Sequence, residues 1–253
     1  MLDLHVHLIG HQDRKVTREN IRHFLEEAQR KQIRQIGFAD HDLYWEDLNF
    51  DLIREVGLEY PDLQVRVGLE VDYLEGEEKS IFQKIDAYSF DYLIGSVHQI
   101  DGWLFDFPEE ERNHLMKDPD QLYEQYFHLV EKAANSGLFD IIGHFDLIKI
   151  FKIRPRTDVR KLAARALEAV KDQHLALEIN TNGRYKPVGE FYPEYKLIEM
   201  IHKMEIPFTL GSDAHEPGVV GRDLWEVCEL LRSVGVKKIQ GFNLRKSEPI
   251  SLI

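Results

Sequence analysis

Nine side chains of metal-ligating type stand where short apolar runs end: His5, His7, His11, His41, Glu70, His98, His144, Asp213 and His215. A neutral imidazole is the commonest metal ligand, and a carboxylate can bridge two ions. That is more than one tetrahedral ion can use, so the set predicts two to three clustered divalent ions. Its nitrogen-rich character favours Zn, Mn or Fe over Mg. Singly, each signal is weak. Alternate residues of any strand share a face, so His5 and His7 alone decide little. Asp213 alone reads equally well as a helix cap. The conjunction is strong, because ligand types stand at six of seven strand exits. Of the 12 histidines, His23, His114, His128, His174 and His202 fall in helices or loops, where packing or surface roles are expected. Asn180 ends the sixth run and is a candidate for binding substrate or for making a turn.

The elements that must position these residues alternate along the chain. Strand-like runs cover Leu2–Val6, Ile33–Ala39, Val65–Val71, Asp91–Val97, Phe139–Gly143, Leu175–Thr181 and Ile206–Gly211, with a possible eighth at Lys238–Phe242. Between them lie stripes of helical period. Thr17 caps the first, with Ile21, Phe24, Leu25 and Ala28 on one face. Later stripes are Leu122, Tyr126, Leu129, Val130 and Ala133, then Leu162, Ala166 and Val170. Leu197, Ile198 and Ile201 make another, and Leu224, Val227, Leu230 and Leu231 the last. Strands alternating with helices indicate a parallel sheet. Seven or eight such units with no Pro/Gly/Ser-rich linker predict one α/β barrel domain over residues 1–253. The strand ends of such a barrel meet in one mouth, where active sites are built. Residues 102–118 read as a long loop and a candidate lid.

Composition narrows the function classes. The chain has 253 residues, 43% hydrophobic and 30% charged, which is ordinary for a globular protein. Lys plus Arg is 32 and Asp plus Glu is 45, for a net charge of -13. That balance argues against a nucleic-acid backbone as the main partner. The single cysteine, Cys228, rules out an intrachain disulfide and an all-Cys metal cluster, and reads as a packing residue in a helix. No apolar run approaches ~18 residues, so no membrane span is expected. Met1-Leu-Asp-Leu-His lacks the basic and apolar regions of a signal peptide, and a cytoplasmic location is expected.

Read in order, HVH (5–7), ADH (39–41), GLEVDY (68–73), GSVH (95–98), GHFD (143–146), EINTNG (178–183) and GSDAH (211–215) resemble the motifs of the PHP metal-dependent phosphoesterases. The likeness runs from residue 1 to about residue 222, and KPVGEFYP (186–193) is particularly similar to the histidinol-phosphate phosphatase branch. The resemblance implies a distorted (β/α)7 TIM-like barrel, the PHP fold, with a trinuclear metal centre and the eighth run outside the barrel. It places one ion on His5, His7, Glu70 and Asp213, a second on Glu70, His98 and His144, and a third on His11, His41 and His215. Glu70, Asp213 and His215 are the catalytic candidates. In that branch an Arg follows the Asn-x-x-Gly turn and binds phosphate. Here the turn reads NTNGRYK (180–186), with Arg184 one position early and Tyr185 where the Arg would fall. Arg184 or Lys186 is therefore the expected phosphate ligand. FKIRPR (151–156) adds Lys152, Arg154 and Arg156, and solvated surface charge is the competing reading for each.

The activity this implies is hydrolysis of a phosphoric monoester, namely L-histidinol phosphate to L-histidinol and phosphate, in histidine biosynthesis. Clustered dications acidify a water for in-line attack and clamp the phosphoryl oxygens, so no Ser or Cys nucleophile is required. The cationic tail of this small-molecule substrate calls for carboxylates, and Asp101 and Asp106 are candidates. Three alternatives stand beside it. A PHP phosphatase for phosphotyrosine or a nucleotide would share the ligands and differ in the pocket. An amidohydrolase-type hydrolase typically needs a strand-four Lys, which GSVH does not supply. A non-catalytic metal-binding barrel is disfavoured by the complete ligand set.

Overall fold

The computed structural model describes residues 1–252. Seven parallel strands pair in chain order: β1 (Leu2–Val6), β2 (Gln35–Phe38), β3 (Gln64–Asp72), β4 (Tyr92–Ser96), β5 (Ile141–Ile142), β6 (Ala176–Asn180) and β7 (Phe208–Gly211). Just beyond β7, Ala214 bridges to β1, and His7 N donates to Ala214 O at 2.8 Å. The sheet thereby curls into a nearly closed barrel. Tyr92 reaches across its interior, and its hydroxyl donates to Leu4 O at 2.6 Å.

Parallel strands need crossover connections, and helices supply them. They are α1 (Arg18–Arg30), α2 (Phe50–Gly57), α3 (Glu78–Ile85), α4 (Glu111–Leu115), α5 (Pro119–Asn135), α6 (Val159–Leu162), α7 (Ala164–Asp172), α8 (Tyr195–Lys203) and α9 (Leu224–Ser233). In α1 the expected cap forms, with Thr17 Oγ1 accepting from Asn20 N at 3.1 Å. Its expected stripe of Ile21, Phe24, Leu25 and Ala28 is buried. Burial of each large apolar side chain is worth roughly 1.5–3 kcal/mol, which holds the helix on the barrel. In α5 the buried face is wider than the sequence stripe. Tyr123 and Phe127 join it while Leu129 is half-buried, because α5 packs on α7 as well as on β4 and β5. Cys228 is buried in α9, where it packs.

Three expectations are refined. The eighth apolar run is a strand, β8 (Lys238–Asn243), but it pairs antiparallel with β9 (Lys246–Ser251) outside the barrel. This hairpin covers the N-terminal strand ends, where Arg66 Nε donates to Phe242 O at 2.7 Å. The fifth run shortens to two residues, because the Asp140 carboxylate, not a strand carbonyl, accepts from Leu93 N at 2.8 Å. The segment 102–118 is folded rather than bare. It holds α4 and a 3-10 turn at Pro108–Glu110, built around buried His114. The His114 Nε2 donates to Phe105 O at 2.7 Å, and the ring sits against Trp103 and Phe151. Among the described residues no helix is long and apolar enough to cross a membrane.

Candidate metal centre

Strand geometry delivers the ligands. His5 in β1 and His7 just past its end alternate onto one face and are fully buried. Glu70, only 1% exposed on β3, stands at the centre. Its Oε2 lies 3.3 Å from His5 Nε2, 3.6 Å from His7 Nε2 and 2.8 Å from His41 Nδ1. Its Oε1 lies 3.4 Å from His98 Nε2 and 2.9 Å from His144 Nε2. Asp213 takes a left-handed backbone, φ 53°, a conformation Asp tolerates. Its Oδ1 comes within 3.2 Å of His7 Nε2. The His215 ring stacks on His7 with centroids 4.1 Å apart, and His11 lies 4.5 Å from His215 at the exposed edge. All nine sequence candidates thus gather at one end of the barrel.

The groups whose ligand atoms lie within 4.8 Å of one another are His5–His7–Glu70, His7–His41–His215 and His41–Glu70–His98. The first contains three of the four residues grouped by family resemblance, Asp213 being the fourth. In the others, His7 occupies the place expected of His11, and His41 leans onto Glu70 between two groups. The atoms themselves argue for cations. His5 Nε2, His7 Nε2, Glu70 Oε2 and His215 Nε2 are buried without a hydrogen-bond partner in the chain. Such atoms are rare in native interiors. Ligands ~2.0–2.1 Å from a tetrahedral ion sit about 3.3 Å apart. The His5–Glu70 and His7–Asp213 separations of 3.3 and 3.2 Å have that spacing. The residues fit a cluster of divalent ions.

A further layer of groups orients these ligands. His5 Nδ1 donates to Glu178 Oε1 at 2.6 Å and His98 Nδ1 to Asp72 Oδ1 at 2.5 Å, leaving each Nε2 free. The other Glu178 oxygen accepts from His144 N at 2.8 Å. Room for this carboxylate exists because residue 211 is glycine; a Cβ there would stand 2.0 Å from Glu178 Oε1. Ser96 Oγ donates to Glu70 Oε1 at 2.7 Å. Asn180 and Asn182 Nδ2 donate to Asp213 Oδ2 at 3.3 and 3.1 Å, so Asn180 positions a ligand here. Glu178, Asp72, Ser96 and Asn182 were not singled out by sequence spacing. Glu178 carried a usable signal, since a charge inside the apolar run LALEIN requires a buried partner.

Burial opposes charge on every group in the cluster, and neighbours decide the outcome. For Glu70 the burial penalty is outweighed by His5, His41 and His98, and its pKa lies well below the ordinary carboxylate value. Asp213 is depressed in the same way, by His5 and His7. His7 is pushed well below the ordinary imidazole value by burial and then by His215 and His41. His5, His41 and His98 move the other way: against burial, the neighbouring carboxylates hold them above the ordinary imidazole value, so they must give up a proton to bind metal.

A family model for the PHP domain matches residues 3–182. The chain belongs to the PHP family. A Deinococcus radiodurans protein named "Probable histidinol-phosphatase" is 44% identical over 187 residues, covering 74% of this chain and 71% of that protein. The crystal structure of HisK from Listeria monocytogenes matches with TM-score 0.76 and 23% identity, over 90% of this chain and 100% of that one. The structure of histidinol phosphate phosphatase from Lactococcus lactis, complexed with Zn, L-histidinol and phosphate, matches with TM-score 0.73 and 22% identity over 98% of each chain. The two structures share the PHP barrel with this chain.

Around the PHP ligand cluster the basic candidates divide. Arg184 is held by Glu226, with Nη2 donating to Oε1 at 2.6 Å, and lies over the Phe191 ring. Arg154 pairs with Glu190 and Glu194 at 2.6 and 2.7 Å, and Arg156 pairs with Asp118 and Asp120. Lys152 is exposed. None of these four contacts a cluster ligand. Lys186 differs. It is exposed, and its charge bears on His11, whose pKa is lowered by burial, then by His215 and His41, and further by Lys186. Asp106 bears on His98, and its Oδ1 is buried without a partner. Asp101 lies exposed in a turn.

Proposed function

We propose that this PHP protein is a histidinol-phosphate phosphatase, converting L-histidinol phosphate and water to L-histidinol and phosphate. In this reading the described barrel acts as one cytoplasmic domain loaded with two or three Zn, Mn or Fe ions. The observation that carries it is Glu70, ringed by five imidazoles at the barrel mouth, with Lys186 acting on His11 and Asp106 on His98. Likeness to the Deinococcus protein supports the substrate.

His5, His7, Glu70 and Asp213 would hold one ion; Glu70, His98 and His144 a second; and His11, His41 and His215 a third. When bound, the ions supply an acidified water and neutralise phosphoryl charge. The chain's own residues do the rest. Glu178 and Asp72 hold His5 and His98 in the correct orientation. Lys186 draws the dianionic phosphate toward the His11 edge, and Asp106 receives the cationic tail near His98. The test is kcat/KM for histidinol phosphate against p-nitrophenyl phosphate, phosphotyrosine and simple nucleotides. A preference of at least about tenfold is expected, which is ~1.4 kcal/mol of differential transition-state binding. Without it the substrate assignment fails, and Asp106→Asn should erode it.

A further inference from the structure

Tyr192 lies on the connection between β6 and α8, is only 2% exposed, and its hydroxyl has no hydrogen-bond partner. The residue is tightly held. Asn180 N donates to Tyr192 O at 2.7 Å, and Tyr192 N donates to Asn180 O at 3.0 Å. The ring stands edge-on to His144 with centroids 6.4 Å apart. It also fills the space over Gly183, where a Cβ would come within 2.6 Å of a ring carbon. A ring so clamped, ending in an unsatisfied hydroxyl beside the ligand cluster, is an arrangement that native interiors avoid unless a partner arrives from outside the chain.

We propose that the Tyr192 hydroxyl donates a hydrogen bond to the alcohol oxygen of the substrate as the phosphoryl group departs. A phenol carries its proton near neutral pH, and burial, then Asp146, Asp213 and Tyr126, oppose its ionisation here. A fixed neutral donor is suited to an oxygen on which charge develops during reaction. Its position agrees. Tyr192 lies by His144, which stands 2.9 Å from Glu70, with Lys149 Nζ 5.2 Å from its ring centroid, whereas Lys186 acts on His11. A substrate with its phosphate toward Lys186 and its cationic tail toward Asp106 sets the ester oxygen on the Tyr192 side. This orientation rests on the histidinol-phosphate reading. In the reaction the water oxygen bonds to phosphorus and the P–O bond to the alcohol breaks. The electron pair goes to the alcohol oxygen, which ends with a proton from the water, and Tyr192 retains its own.

The experiment is Tyr192→Phe in the metal-loaded enzyme, assayed on an alkyl and an aryl monoester. For the alkyl ester kcat should fall at least about tenfold, with little change in KM. For p-nitrophenyl phosphate, whose leaving group needs no such help, the fall should not exceed about threefold. Metal content should hold and Tm should stay level or rise, since the lost hydroxyl had no partner. Equal losses on both esters, or no loss on either, overturn the proposal. So does a fall in Tm with loss of metal, which would make the hydroxyl a structural group. The alkyl arm is run with both histidinol phosphate and glycerol 2-phosphate. Failure of the substrate assignment is therefore seen in the parent enzyme, separately from failure of the tyrosine assignment in the variant.

Discussion

The two ends of the barrel are built on opposite terms. At the N-terminal end the β8–β9 hairpin covers the strands and most polar groups are partnered, Gln35 Oε1 being an exception. Asp91 alone accepts from Val67 N at 2.8 Å, Leu244 N at 3.2 Å and Arg54 Nη1 at 3.0 Å. Arg245 pairs with Asp140 and donates to Leu138 O at 2.8 Å. At the C-terminal end, His5 Nε2, His7 Nε2, Glu70 Oε2 and His215 Nε2 are buried without a hydrogen-bond partner in the chain. Each satisfied bond at the first end contributes roughly 0.5–1.5 kcal/mol. Each orphan at the second costs about 1–3 kcal/mol until a ligand arrives. One end of the sheet stabilises, and the other stores the capacity to bind.

Substitutions at either end should break this contrast or sharpen it. The largest effect is expected at Glu70. Glu70→Gln keeps the volume but removes the charge between two ion positions. It should lower kcat/KM on the order of 10³-fold with loss of at least one ion by elemental analysis. Normal metal content and turnover would exclude the bridging role. At the opposite end, Phe242→Ala should cost about 3 kcal/mol in denaturant unfolding by opening a cavity under the hairpin. Its kcat/KM per folded molecule should stay within about twofold of the parent. A large activity loss there would show that the ends are coupled. Glu178→Gln should lower metal affinity or activity by about 10–100-fold, because His5 would lose its orienting carboxylate. Unchanged zinc titration and turnover would remove Glu178 from the site. The smallest effect is at the rim, where Lys186→Ala should raise KM for the phosphoester roughly fivefold while metal content holds. Arg184→Ala, starting from a guanidinium already held by Glu226, should raise it less. The reverse order would return the phosphate to Arg184.

How far these ends were legible in the sequence differs. The ligands were readable because strand period and barrel closure act on residue types that have few other reasons to stand at strand exits. Glu70 and Asp213 were found that way. The groups behind them were not, since Asp72 resembles any acid after a strand and Ser96 any small strand residue. Arg184 looked free because its partner Glu226 lies far along the chain, on α9. Tyr192 passed unnoticed, as a lone aromatic before a proline usually only packs. The bottom hairpin was half legible. β8 showed an apolar run, but β9 is polar and carries Pro249, so periodicity was silent about it.

The seam of the barrel has a consequence for how the protein is made. His5 lies on the first strand with His7 just beyond it, and Asp213 and His215 follow the last strand of the barrel. Asp3 and Ser212, hydrogen-bonded at 2.9 Å, are 209 residues apart in sequence. Closing so long a loop is among the slowest kinds of folding event. During synthesis, a nascent chain whose residues beyond His144 are still in the ribosome already displays most of the imidazoles, yet it lacks the strand that draws them together. Ions met at that stage find only part of the site, and the complete set comes into being only when β7 docks against β1.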